Sequence, residues 1–137
     1  MCLQTIDEVP KYKDGFGWKV FEENYKGNLR PDMQGDNVWP VDEWIKAKGE
    51  PLHINNDCCL PTYKSGFHIL PTKREAEEYK RQRVSPYHRM SVRKVEYRNV
   101  TSTGISKLFS GISSGLEVTW EGRCIVAKEM RILEDSK

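Results

Sequence analysis

Soft donor atoms gather in one part of this sequence. His53, Cys58, Cys59 and His68 put two of the three histidines and two of the four cysteines within one short stretch. Thiolate and imidazole together suit a borderline-soft cation, and zinc is the expected one. Neighbouring side chains of an extended chain point to opposite sides, so one cysteine of the pair should face the metal. Cys59 is the expected ligand, being nearer in sequence to His68. A closed tetrahedral site needs four donors, and His53 and Cys2 are the leading candidates to complete it. The expected set is Cys2, His53, Cys59 and His68, holding a structural zinc. The spacing is not that of a zinc finger, a ribbon or a CxxC pair, so buried thiols and hydrogen-bonded histidines are the competing reading. Cys124 alternates with Val126 and Met130 and reads as a core thiol.

Other chemistry is thinly supported. Cys58 or Cys59 with His68 could form a nucleophile and base, but no glycine-rich oxyanion loop or orienting carboxylate stands at a suitable spacing. Met1-Cys2 resembles the start of enzymes with an N-terminal cysteine nucleophile, yet Leu3 and Gln4 are not the small residues that follow there. The chain has no P-loop, no GxGxxG and no HExxH.

The net charge of +2 conceals a gradient. Residues 73–98 carry nine basic side chains against four glutamates, a balance of +5, which leaves −3 for the rest. Such a tract attracts phosphate or an acidic protein surface. Arg81, Arg83, Arg89, Arg93 and Lys94 are the expected partner-binding residues. Tyr79, Tyr87 and Tyr97 lie among them and could stack bases, so nucleic acid bound through residues 73–98 is a further expectation. A solvated helix face is the plain alternative.

At 137 residues the chain is long enough for one core, and a single domain over 1–137 is expected. No apolar run reaches the roughly 18–20 residues of a membrane span, and no signal peptide is visible, which implies a cytoplasmic protein. Four cysteines in a reducing compartment are thiols or ligands before they are disulfides.

The elements that must position these groups are mostly strands. Residues 2–6 and 18–21 read as strands, and 67–70 as a brief buried one ended by Pro71. Thr72 and Glu75 form a capping box that opens a helix over about 72–83, with Ala76 and Tyr79 as its chief apolar contacts. Glu77 and Arg81 are ordered for an i,i+4 pair. Pro40, Val41, Trp44 and Ile45 predict a short helix within 36–51, with an extended strip burying Trp39 and Trp44 as the alternative. Met90 to Val100 reads as a strand whose apolar parity slips, which predicts a bulge near Arg93 and Lys94. Leu116, Val118 and Trp120 alternate inward, Glu121-Gly122 reads as a turn, and 123–133 returns as the second arm of a hairpin. The sum is an α+β fold with an antiparallel sheet, one clear helix and long loops.

The order of several short motifs is familiar. Met1-Cys2-Leu3 is followed by Gly17-Trp18-Lys19-Val20-Phe21, then by Cys59 ahead of Gly66-Phe67-His68 and the Thr-capped helix. Val95-Glu96-Tyr97 and Val126-Ala127-Lys128-Glu129-Met130 complete the series. Across nearly its whole length the chain resembles small uncharacterised proteins of phages, prophages and mobile elements. It departs from their layout in its doubled cysteine and its long basic passage from helix to strand. The resemblance implies an accessory product that blocks host defence, and best of all a type II anti-CRISPR protein that inhibits Cas9. Many such inhibitors imitate DNA with acidic surfaces, which this chain does not have, so docking on the protein or obstruction of guide-RNA loading is implied. The leading expectation is therefore a non-enzymatic binding protein with a structural zinc. A small zinc-dependent or ADP-ribosyltransferase-like enzyme is the second, and a nucleic-acid-binding domain the third.

Overall fold

The structure is a computed structural model and describes residues 3–23, 29–31, 39–47, 66–82, 89–110 and 117–134. These form an α+β fold with seven strands and one helix: β1 (Leu3–Ile6), β2 (Gly15–Glu23), β3 (Leu29–Pro31), β4 (Trp44–Lys46), β5 (Phe67–Ile69), α1 (Lys73–Gln82), β6 (Arg89–Ser110) and β7 (Glu117–Ile132). Every strand pairing is antiparallel, and the main path runs β3-β2-β6-β7-β4.

The long strands β6 and β7 carry the architecture. One edge of β6 pairs with β7, while the other pairs first with β2 and then with β1. β5 lies on the outer edge of β7, with Phe67 opposite Ala127 and Ile69 opposite Ile125. The next residue, Leu70, exchanges both backbone hydrogen bonds with Trp18 of β2, each at 2.7 Å. The path β2–β6–β7–β5 therefore returns to β2 and closes a ring. Gly17 permits the closure, because a Cβ there would lie 2.5 Å from Ile69 Cγ2 and 2.9 Å from the Leu70 carbonyl.

The main core packs Phe21, Phe67, Ile69, Val95, Tyr97, Ile125, Met130 and Ile132 together. Trp39 wedges against it edge-on, 5.8 Å from the Phe21 ring and 5.4 Å from that of Phe67. A second cluster lies under α1, where Ala76 and Tyr79 cover Val20, Leu70, Met90, Val92 and Trp120. Thr72 caps the helix, the Glu75 amide donating to Thr72 Oγ1 at 3.2 Å, but the return half of the expected capping box is not made, since Glu75 Oε2 is buried without a hydrogen-bond partner. Its exposed i,i+4 ion pair is Arg74 with Glu78.

Three local expectations are corrected. Residues 39–47 contain no helix; Trp44 and Ile45 sit in β4 opposite Arg131 and Met130, and Ile45 packs on the main core. The remaining residues of the expected helix lie outside the described ones. There is no bulge at Arg93 and Lys94, because β6 runs in unbroken register with β2 from Arg89 to Tyr97. Both parities of β6 are apolar because both faces are covered, Val92 by α1 and Val95 by the main core. The register shifts of the β6–β7 pair fall instead between Val100 and Ser102 and between Leu108 and Phe109. Finally, Glu121 and Gly122 do not turn; they lie inside β7 opposite Lys107 and Ser106. Gly122 is there to receive the Trp120 ring, whose Cζ2 would be 2.6 Å from a Cβ. Val118, expected to face inward, is exposed.

Candidate functional site

Of the expected zinc ligands, Cys2, His53 and Cys59 lie outside the described residues. His68 sits in the middle of β5 opposite Val126 and is buried. Burial, followed by the Lys19 charge, pushes its pKa down to about 3, so the imidazole is neutral at pH 7. That is the protonation state a metal ligand needs. Among the described residues no three His, Cys, Asp or Glu side chains converge on one point. Cys124 is a buried thiol whose pKa is pushed up to about 11 by burial, far from the range of a reactive thiolate.

The five expected docking residues do not share one face. Arg83 lies outside the described residues. Arg81 is exposed at the last turn of α1, and Arg89 is largely exposed at the start of β6, 3.8 Å from Glu23. Arg93 is a correction. It is 7% exposed and donates to Glu23 Oε1 at 3.3 Å and to Ser91 Oγ at 3.1 Å, so its guanidinium is enclosed by the fold. Residues alternate across a strand, and Arg93 lies on the face opposite its neighbour Lys94.

Lys94 leads to a surface that the sequence reading missed. Phe16 of β2 pairs with Glu96 of β6, Glu96 with Arg131 of β7, and Arg131 with Trp44 of β4. Directly opposed residues of antiparallel strands share a face, so these four side chains form one row across four strands. Two residues along, Trp18 pairs with Lys94; two residues the other way, Arg98 pairs with Glu129 and Glu129 with Lys46. Phe16 is 56% exposed, with the Lys94 ammonium 5.1 Å above its ring. The Lys73 ammonium lies 5.4 Å from the Trp18 ring. Trp44 carries the Arg98 guanidinium at 3.9 Å and that of Arg131 at 5.2 Å. Each such contact is worth about 0.5–1 kcal/mol at an exposed site.

Ion pairs hold the middle of this face in place. Arg98 grips Glu129 with Nε at 2.8 Å and Nη2 at 3.1 Å, and Arg131 pairs with Glu96. The Arg98 hydrogen bond, together with the Arg98 charge and a hydrogen bond from Asn99, holds the Glu129 carboxyl below its ordinary pKa. Asn99 adopts the left-handed backbone region at φ 61°, which asparagine tolerates, and its backbone N–H donates to Asp14 Oδ1 at 2.9 Å. Five cations (Lys46, Lys73, Lys94, Arg98, Arg131) face three carboxylates (Asp14, Glu96, Glu129), leaving +2. Lys73 and Lys94 lie over rings and are not spent on the carboxylates.

A signal for this face is present in the sequence. Glu96-Tyr97-Arg98 and Glu129-Met130-Arg131 are both acid–apolar–base triplets. Antiparallel pairing brings each acid opposite the other triplet's base, and sends Tyr97 and Met130 to the core. Among the described residues, no helix is long and apolar enough to cross a membrane. No protein-family model, no curated protein and no solved structure matches this chain.

Proposed function

We propose that this chain is a phage-type accessory binding protein that inhibits a host defence protein, with Cas9 or its guide-RNA complex as the target. The observation that carries docking over catalysis is the open row Phe16–Glu96–Arg131–Trp44, with unspent lysines beside its rings. The exposed Phe16 and the half-buried Trp44 are its aromatic anchors for affinity, while the cations around them set encounter rate and specificity. The choice of target comes from the resemblance alone. The proposal includes a structural zinc held by His68 and Cys59 with Cys2 and His53, which rests on the soft donor atoms gathered in that stretch of the sequence. Leu3, the residue after Cys2, packs with Val126, the cross-strand partner of His68.

The test is cleavage of a linear DNA target by Cas9, with the protein added before or after guide loading. Wild type should block cleavage in at least one order of addition, and Phe16→Ala with Lys94→Glu should restore it. Full cleavage at several-fold molar excess in both orders would remove the reading.

A further inference from the structure

We infer that the open face of β2–β6–β7–β4 binds a single-stranded polynucleotide, with bases against Phe16, Trp18 and the Arg98–Trp44 stack and phosphates against Lys46, Lys73 and Lys94. The inference rests on the docking reading and names what docks. The row from Phe16 to Trp44 crosses four adjacent strands, so at about 4.8 Å per step it is roughly 14 Å long. Sheet faces that carry aromatic side chains stack about two or three unpaired bases. Every base offers a π-face, and the Arg98 guanidinium, 3.9 Å from the centre of the Trp44 ring, is a planar cation on which a base also stacks. The glutamates of the row are already neutralised by Arg98 and Arg131, so they repel phosphate little. The lysines that flank the rings keep their charge for it. A duplex hides the faces of its bases, and a face that offers the rings of Phe16, Trp18 and Trp44 therefore favours unpaired ones.

The experiment is fluorescence anisotropy with labelled oligouridylate and oligodeoxythymidylate, each about 15 nucleotides long, using the full chain without any nuclease. We expect binding to at least one oligomer that weakens steeply with salt. Phe16→Ala should weaken it roughly five- to hundredfold. Phe16→Trp should retain it, which separates stacking from a folding defect. Lys94→Gln should lower the slope of log K against log salt by about 0.7. Two results overturn the inference. One is no binding by wild type to either oligomer at about 100 μM protein in low salt. The other is unchanged binding by a folded Phe16→Ala/Lys94→Gln variant. If wild type then still inhibits Cas9 and this variant does not, the face takes protein, and the docking reading survives its loss. Binding to the oligomers without any inhibition of Cas9 supports the inference and removes Cas9 as the target.

Discussion

The Lys19 ammonium donates to the backbone carbonyl of His68 at 2.8 Å, across the seam where the Trp18–Leu70 pairing ends. Further along the same strand, Phe21 to Glu23 pair with β3, so Lys19 brings its donor to this carbonyl between the two stretches of backbone pairing. A side chain thus continues the ring where backbone pairing stops. Lys19→Met should cost about 1–3 kcal/mol, because a part-buried carbonyl loses a charged donor. Urea unfolding measures it, and an unchanged midpoint would mean that the carbonyl is hydrated instead.

Arg93 and Lys94 are neighbours with opposite expected responses. Arg93 and Glu23 hold each other at 3.3 Å with side chains only 9% exposed. Breaking a buried pair by deleting one partner costs about 3–5 kcal/mol. Arg89, at 3.8 Å from Glu23, offsets part of that. Arg93→Ala should therefore lower the melting temperature sharply, while Lys94→Ala should stay within about 0.5 kcal/mol of wild type. Equal melting temperatures for the two variants would contradict the placement of Arg93.

His68 should make stability depend on pH. Its folded pKa of about 3 lies far below the ordinary 6.5. The unfolded chain takes up the proton as pH falls through 6.5, and the folded chain does not until about 3. The contribution is complete above 6.5 and is lost as pH drops towards 3. His68→Gln should flatten the fall in unfolding free energy between pH 7 and about pH 5, before carboxylates titrate. The measurement uses chelator-treated protein, so that no metal competes for the imidazole. An equal slope in both proteins would assign the effect to other groups.

Zinc has its own test. Protein purified without added metal should carry about one equivalent by elemental analysis, since a structural site retains its ion. Cys59→Ala and His68→Ala should lower the melting temperature far more than His88→Ala does. A content below about a tenth of an equivalent, or equal losses at all three positions, would dispose of the expected ligand set.

Local features of this protein are legible in the sequence because their causes are local. Thr72 caps α1 by reaching an amide three residues away, and Ala76 and Tyr79 share a side of the helix at its own period. Trp44 and Ile45 show where that ends. Adjacent apolar residues fit a helical face or a two-faced strand equally well, and only β7 makes them β4, by offering an edge beside Arg131 and Met130. Gly122 looks like a turn residue until the Trp120 ring is seen lying over it. The slip in apolar parity at Met90–Val95 looks like a bulge until both faces of β6 prove to be covered. The open face was half legible, since the two Glu-x-Arg triplets are printed in the chain, but their pairing depends on register between strands about thirty residues apart. Phe16 and Trp44 join them only because β2 and β4 occupy the outer edges of the same pair. A sequence records which side chains alternate along one strand; which strands lie side by side is decided by burial of the whole core, and so the row appears only in the folded molecule.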